Sequence, residues 1–295
     1  MTFAQHWLRR LPSYAVLTIC AALLLFPLYV TFVFSLHPIT EFIGEGVPSL
    51  WPSNPQWGNY FESGSGASNT PIGRYLFNSV VVAVVITAAQ LVTATLSAYA
   101  FAFLRFPGRN VLFVLFLATM MVPLEVAIIP NFQTMQWLDG HFREQAWLSW
   151  TQIRWIDGYP GLVAPFLATG FGTFLLRQAF LSIPSELRDA AEMDGYGHFR
   201  FLWRVAIPIT RPVIAAFTVL SFLAAWNSYL WPRAITDDSD WNTIQIGLRA
   251  VANSTADQLN VGVAAALLAA LPVLIVLILF QRHIVRGLTA GAVKG

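Results

Sequence analysis

The chain has 295 residues, of which 56% are hydrophobic and 11% charged, and its mean hydropathy is +0.60. This balance excludes an ordinary soluble domain, because about a quarter of the residues in such domains are charged. The formal net charge is only +2, and no nucleic-acid partner is expected. The composition therefore predicts a polytopic membrane protein.

Six stretches are long and apolar enough to cross a bilayer, which takes about 20 residues in a helix. They lie at 14–36, 76–103, 111–130, 161–181, 212–232 and 261–281. The prediction is an all-α membrane protein with six transmembrane helices in a single domain over 1–295. The first stretch has one alternative, a cleaved signal peptide. It is longer than the usual apolar region of such a peptide and lacks an evident cleavage site.

The cations predict the orientation, because cytoplasmic loops retain Lys and Arg. Twelve of the 17 cations fall on the side of the two termini: Arg9, Arg10, Arg105, Arg109, Arg177, Arg188, Arg200, Arg204, Arg211, Arg282, Arg286 and Lys294. The opposite side has Arg74, Arg143, Arg154, Arg233 and Arg249. We therefore expect both termini, the loop 182–211 and the tail 282–295 to be cytoplasmic.

The loop 182–211 has the spacing of two short helices. Pro184 suits the start of the first helix, and Gly195 suits its end. Between them one predicted face holds Leu187, Ala190, Ala191 and Asp194, and after Gly197 a second holds Phe199, Leu202, Trp203 and Ala206. Pro208 is expected to end the run. The spacing favours a docking element, and the alternative is an amphipathic loop on lipid headgroups.

These residues resemble the coupling loop of importer-type ABC permeases, whose pattern is E-A-A, three residues, G, nine residues, I-x-L-P. Asp189, Ala190, Ala191 and Gly195 fill the first part, and Val205 and Pro208 fill the second at the right distances. The chain departs from the pattern conservatively, with Asp for Glu, Val for Ile and Ile for Leu. The ending QRHIVRGLTAGAVKG is similar to the tail of the carbohydrate branch, and AAWNSYLWP and ATMMVPLEVAIIPNF are similar to permeases for maltose-type sugars and glycerol 3-phosphate.

The resemblance implies a fold of the type I ABC importer permease kind, with six transmembrane helices and a cytoplasmic coupling helix pair. It implies four other protein subunits: a second related permease, two ATPase subunits and an external solute-binding protein. The surrounding membrane lipid is a further expected partner. The residues expected to couple to the ATPase are Glu186, Asp189, Ala190, Ala191, Asp194, Gly195, Val205 and Pro208. Thr289, Gly291 and Lys294 of the tail are also expected to contact it, the alternative being a disordered end.

No catalytic motif is expected to act in this chain. A phosphate-binding P-loop needs a lysine after its glycines, and the only lysine is Lys294, next to the last residue. ATP and Mg²⁺ are therefore expected in the partner ATPase subunits, with no cofactor in this chain. The five histidines are scattered, and we expect no metal site.

Candidates for the substrate pathway are polar or aromatic residues within or beside the predicted spans. Glu125 is the only acid within a span and lies between Pro123 and Pro130, where a broken helix is expected. The others are Asn78, Trp226, Asn227 and Tyr229. The alternative for Glu125 is snorkelling toward the interface, and for the others it is helix packing.

The predicted function is the permease subunit of an ATP-driven importer in the cytoplasmic (inner) membrane. Its substrate would be a sugar, an oligosaccharide or a glycerol phosphate derivative. Two other classes remain: an ion-coupled secondary transporter, and a membrane anchor or sensor without transport. One intramembrane acid and no evident internal repeat argue against the first of these.

Overall fold

A computed structural model gives the fold and describes residues 3–38, 40–41, 49–65, 71–144, 154–252 and 259–292. Within these ranges the regular secondary structure is helical and no strand occurs. The chain forms two compact units. One comprises Met1–Gly73 with Gly247–Leu271, and the other Arg74–Ile246 with Pro272–Gly295.

Fourteen α-helices are numbered here within the described part of the chain. They are α1 (Phe3–Ser35), α2 (Gly58–Ser65), α3 (Ile72–Phe103), α4 (Arg109–Ala118), α5 (Leu124–Glu144), α6 (Tyr159–Val163), α7 (Gly170–Leu181), α8 (Ser185–Met193), α9 (His198–Phe201), α10 (Ile207–Ile209), α11 (Arg211–Trp226), α12 (Leu230–Ile235), α13 (Ile244–Ala252) and α14 (Leu259–Ala292). A π-helical turn, Leu202–Ala206, joins α9 to α10 without interruption.

Six spans are present when each bent helix pair is counted as one, which agrees with the predicted six helices. Three are single helices: Pro12–Ser35, Ile72–Phe103 and Leu259–Arg282. Three are bent pairs by length and composition: Arg109–Met121 with Leu124–Phe142 at 99°, Tyr159–Phe166 with Gly170–Leu181 at 46°, and His198–Ile209 with Arg211–Trp226 at 81°. Of the last pair, only Arg211–Trp226 overlaps a predicted span.

Three predicted spans differ from the observed helices. The fourth, 161–181, is bent by 46° between Phe166 and Gly170. The third, 111–130, is broken after a 3₁₀ turn at Thr119–Met121 and resumes beyond Pro123, whose ring cannot continue the helical hydrogen bonds. The fifth, 212–232, ends as a helix at Trp226, and Pro232 belongs to the separate α12. Pro208 does not end the preceding run either, because α10 continues to Ile209.

The first unit contains a buried polar cluster at the C-terminal end of α1. Asn59 of α2 donates to the Ser35 carbonyl at 2.7 Å, and Asn260 of α14 donates to the Asn59 side chain at 3.3 Å. His37, which is fully buried, hydrogen-bonds Glu41 through Nδ1 and donates to the Ser49 carbonyl through Nε2 at 3.0 Å. These bonds satisfy groups that would be costly to bury alone.

The second unit has two apolar clusters of buried residues. The cluster that includes the helix pair is formed by Ala94, Ala98, Tyr99, Leu176, Phe180, Ile183, Ala191, Phe201, Leu202, Ala206 and Phe217. The other is formed by Val82, Ile86, Met135, Leu162, Val163, Trp231 and Ile235. In the latter, the indole N–H of the fully buried Trp231 donates to the Gly161 carbonyl at 3.1 Å. Since α3 contributes residues to both clusters, it connects the two parts of the core of this unit.

Candidate functional site

The first helix of the predicted pair, α8, starts where the sequence predicts. Pro184 occupies its N-cap position, with φ −56° and ψ 138°, and Glu186 lies in the first turn. A carboxylate is favourable there because unpaired N–H groups give a helix N-terminus a partial positive charge. One turn apart, Arg188 Nε donates to Glu192 at 2.9 Å and supports the exposed side of the helix.

Gly195 ends α8 in a left-handed turn, with φ +74°. Its N–H donates to the Glu192 carbonyl at 3.0 Å, and the Tyr196 N–H donates to the Ala191 carbonyl at 2.8 Å. These two bonds define a Schellman C-cap, which needs a residue that tolerates positive φ. Among the described residues, no atom lies within 4 Å of a Cβ built at Gly195. Glycine is therefore required by the backbone conformation and not by lack of space.

The inner side of the helix pair packs onto α3 and α7. Ala191 of α8 and Phe201 of α9 are 7% and 4% exposed and belong to the cluster that contains Tyr99. The Tyr99 hydroxyl hydrogen-bonds Nδ1 of His198, the first residue of α9, at 3.1 Å. The same phenol ring meets the Phe180 ring edge-on, with centroids 6.4 Å apart. Apolar packing and one polar bond therefore hold the pair to α3.

The outer side of the helix pair exposes apolar side chains among carboxylates. This surface, called the docking face below, consists of Glu186, Leu187, Asp189, Ala190, Met193, Asp194, Phe199 and Trp203, all exposed. Met193 is 89% exposed, Phe199 71% and Trp203 57%. The Phe199 and Trp203 rings lie 6.1 Å apart and form one aromatic knob. Exposed apolar side chains gathered in this way are typical of interaction sites.

The two predicted faces of the pair are wrong as single surfaces. Ala191 points inward, whereas Leu187, Ala190 and Asp194 are exposed, because the pair buries only a narrow stripe of α8. The second predicted face is split too: its exposed members are Phe199 and Trp203 and its buried members Leu202 and Ala206. The π-helical turn widens the helix at this point and changes the direction of successive side chains.

The remaining predicted coupling residues lie away from the docking face. Val205 is half-buried and packs against the inner cluster, and Pro208 is half-buried in α10. In the tail, Thr289 and Gly291 lie in the last turns of α14, which continues to Ala292. Lys294 lies outside the described residues.

Asn78, a predicted pathway residue, is fully engaged in structural bonds. Its amide donates to the carbonyls of Asp240 and Asn242 at 2.9 and 3.0 Å and accepts from the Tyr159 hydroxyl at 2.9 Å. The side chain is 3% exposed. Beside it, Arg74 and Asp240 form a half-exposed ion pair at 3.0 Å. These contacts favour the packing alternative for Asn78.

Three predicted pathway residues lie around the end of α11. Trp226 is 3% exposed and stacks on Phe222, with ring centroids 5.7 Å apart, which also favours packing. Asn227 is exposed at the C-cap of α11 and accepts a long hydrogen bond from Gln245 at 3.4 Å. Tyr229 is half-buried and precedes α12. Asn227 therefore presents an accessible amide, and Tyr229 a partly exposed side chain, at a break between helices.

Glu125 lies in the first turn of α5, directly after the 99° bend. Its side chain is exposed, as are those of its neighbours from Thr119 to Val126. The helix N-terminus is favourable for a carboxylate, because its free N–H groups carry partial positive charge. The predicted break beside Glu125 is thus present, and Pro130 lies within α5 without interrupting it.

The sequence analysis missed a polar contact at the 46° bend of the fourth span. The break leaves the Phe166 and Leu167 carbonyls without helical partners, and α3 supplies donors to both. Gln90 donates to the Phe166 carbonyl at 2.9 Å. The Thr93 hydroxyl lies 2.9 Å from the Leu167 carbonyl and 2.9 Å from the Ala89 carbonyl of its own helix, and these two carbonyls share its one proton. Ser221 of α11 in turn donates to Gln90 at 2.8 Å. The available signal was a glutamine in the middle of an apolar span, since such side chains bridge helices.

Comparisons with known proteins bear on the family of the chain. The family described as "Binding-protein-dependent transport system inner membrane component" matches residues 90–290. The sn-glycerol-3-phosphate transport system permease protein UgpE of Yersinia enterocolitica is 37% identical over 280 residues, which cover 93% of this chain and 94% of that protein. The UgpE of Rhizobium meliloti is 37% identical over 282 residues and covers 94% of both chains.

Two solved structures share the fold. One is a bacterial ABC transporter involved in the import of the acidic polysaccharide alginate, with a TM-score of 0.73 and 22% identity over 96% of this chain and 99% of that one. The other is the bacterial alginate ABC transporter in complex with a pentasaccharide-bound periplasmic protein, with a TM-score of 0.56 and 16% identity over 95% and 96%. At these identities the likeness concerns the fold alone.

Proposed function

Because the chain belongs to the family of binding-protein-dependent transport system inner membrane components, we propose that it forms one half of a substrate pathway, paired with a second, related permease. It is the permease subunit of an ABC importer. Two separate ATPase subunits bind and hydrolyse ATP with Mg²⁺, and an external solute-binding protein delivers the substrate. The chain acts as a single permease domain in the inner membrane, with both termini in the cytoplasm.

The docking face carries this proposal. The face exposes three large apolar side chains, those of Phe199 and Trp203 in the knob and that of Met193. Their exposure to water would be unfavourable in a loop that met no partner. Aromatic anchors of this kind supply much of the binding energy in protein interfaces. We therefore assign the docking face to the cleft of an ATPase subunit, with Asp189 placed to pair with a basic group there.

The helix pair is suited to transmit motion from the ATPase to the spans. The Schellman turn fixes α8 relative to α9, and the inner side packs on α3 and α7. A displacement of the docking face therefore moves these helices as one body, which is a rocking motion of the kind seen in alternating access. Val205 and Pro208 contribute to this body from inside.

The substrate pathway is assigned to residues that remain accessible. Glu125, Asn227 and Tyr229 lie at breaks between helices, where polar backbone and side-chain groups can face a wet cavity. Asn78 and Trp226 support the neighbouring loops. Opposite a partner permease, the accessible residues would supply hydrogen bonds to hydroxyl groups.

The substrate class is a sugar, an oligosaccharide or a glycerol phosphate derivative. The relatives named for sn-glycerol-3-phosphate transport make that phosphorylated polyol the first compound to test. The tail residues Thr289, Gly291 and Lys294 are assigned to an ATPase contact at the cytoplasmic end of α14. A secondary transporter or a membrane anchor would need no ATPase, so the presence of that subunit discriminates among the three classes.

The decisive experiment is reversal of charge on the docking face. In the reconstituted complex, Asp189→Lys should abolish most of the substrate-stimulated ATPase activity, because like charges at a desolvated contact cost several kcal/mol. Asp237→Lys, the same reversal at an exposed residue off the docking face, is the matched control. A wild-type rate with Asp189→Lys would refute the coupling role, and failure of the chain to retain any ATPase subunit would refute the importer itself.

A further inference from the structure

A basic groove lies where α3 ends beside the helix pair. It has a volume of about 540 Å³ and is lined by Phe103, Leu104, Arg105, Phe106, Arg188 and His198. The lining comes from three places: the last residue of α3, the loop that follows it, and the helix pair. The groove is therefore closed on one side by the span and on the other by α8 and α9.

The charges that line this groove are of one sign. Arg105 and Arg188 are cationic, His198 is polar, and within the described ranges no carboxylate belongs to the lining. Glu192 lies just outside, in a neighbouring pocket of about 150 Å³, and pairs with the Nε of Arg188. That bond uses one of the five guanidinium N–H donors. The remaining donors suit an anion with several oxygen acceptors.

The positive surface continues along the loop after α3. A second cavity of about 460 Å³ shares Arg105 and Phe106 with the groove and adds Arg109 and Asn110. Arg109 donates to the Leu104 carbonyl at 3.2 Å and so stabilises the conformation of the loop. Arg105 is exposed, and in the described part of the chain no acid pairs with it. Its guanidinium is the free cation of the groove.

The apolar half of the lining identifies the source of the anion. Phe103, Leu104 and Phe106 form the floor, and Phe103 is the last residue of a helix long and apolar enough to cross the membrane. An apolar floor contributes nothing to the binding of a small soluble anion. A phospholipid, by contrast, carries acyl chains next to its phosphate, and these can contact the floor. We propose that the basic groove binds the headgroup phosphate of an anionic phospholipid.

The proposal adds a regulatory ligand to the transport machinery. Arg188 and His198 belong to the helix pair, whereas Arg105 and Phe103 belong to the end of α3 and its loop. A phosphate between Arg105 and Arg188 would bridge these elements and stiffen the joint that carries the docking face. Lipid composition would then alter how well ATPase motion reaches α3.

The test measures lipid binding to the purified full-length chain in neutral detergent, by native mass spectrometry. Phosphatidylglycerol is the anionic probe and phosphatidylethanolamine the zwitterionic one. Phosphatidylglycerol should bind more tightly, and Arg105→Gln should lower its affinity about fivefold, the usual effect of one cation near an anionic headgroup. Arg105→Lys should recover most of that loss, because it restores the charge.

Arg211→Gln is the matched control, since Arg211 is exposed in the same predicted cytoplasmic region and does not line the groove. It should change the affinity less than about twofold, because its charge lies outside the groove. An equal loss in the two glutamine variants would overturn the proposal, because general surface charge would then explain the binding. Displacement of the lipid by millimolar inorganic phosphate, dependent on Arg105, would also overturn it by showing that the groove takes a free anion. These measurements need no ATPase and are independent of the proposed function.

Discussion

Alanine substitutions at Gly195 and Gly197, in the turn between α8 and α9, should have opposite effects on the stability of that turn, although the two residues lie only two positions apart. Gly195 has φ +74°, whereas Gly197 is extended, with φ −75° and ψ 168°. In the described structure neither position has an atom within 4 Å of a built Cβ. The substitution of alanine at each site therefore isolates backbone conformation from packing.

The magnitudes follow from the two conformations. An alanine in the left-handed region costs about 1–2 kcal/mol, so Gly195→Ala should destabilise the turn by that amount. At Gly197 alanine adopts the native conformation freely and should stabilise it by about 0.4–1 kcal/mol through the unfolded chain. The two variants should therefore differ by about 1.5–3 kcal/mol, which is at least about tenfold in the ratio of folded to unfolded turn.

Hydrogen exchange of the amides in residues 185–209 measures this population directly. Gly195→Ala should accelerate exchange at Tyr196, whose N–H closes the Schellman turn, and should lower substrate-stimulated ATPase activity in the complex. Gly195→Asn should fall between glycine and alanine, because asparagine tolerates positive φ. Equal exchange rates for the alanine variants at 195 and 197 would refute the reasoning.

Three further predictions concern the link to α3, the pathway and the tail. Tyr99→Phe removes the bond to His198 but keeps the ring, so the complex should assemble with normal basal ATPase activity and transport less substrate per ATP; an unchanged ratio would show that the bond carries no motion. Cysteine at Glu125 in a Cys20→Ala background should react with a hydrophilic thiol reagent in one nucleotide state and much less in the other. Equal labelling in the two states would remove it from the pathway. Deleting residues 289–295 should reduce recovery of the ATPase subunit on purification, and full recovery together with normal uptake would favour a disordered end.

The start and end of α8 were predictable because they depend on local chemistry. Pro184 has a fixed φ, and Gly195 tolerates positive φ, so the residues themselves carry the information. The break before Glu125 was predictable for the same reason, since Pro123 lies within an apolar run. Composition likewise sufficed for six spans, because the length of an apolar stretch is a property of the sequence alone.

The engagement of Asn78 was not predictable, because its partners lie far away in the chain. The amide meets the carbonyls of Asp240 and Asn242, more than 160 residues later, and no periodicity links them. Which of Ala190 and Ala191 faces inward depended similarly on where α3 and α7 pack. Local pattern gives the spacing of side chains along a helix, and only the tertiary contacts choose the buried side.

Two of the three bent spans differ in what fixes their angles. At the 46° bend, Gln90 and Thr93 bond carbonyls at the end of the first piece, and Ser97 hydrogen-bonds Thr173 of the second at 2.8 Å. Both pieces of that span are therefore fastened to α3 and should move with it as one rigid body. At the 99° bend the side chains from Thr119 to Val126 are all exposed. The start of α7 packs against that bend, since a Cβ built at Gly170 would lie 2.7 Å from the Met120 side chain, and the outward side chains are left to meet the assembly. The chain thus holds one bend by hydrogen bonds and the other by the close approach of α7.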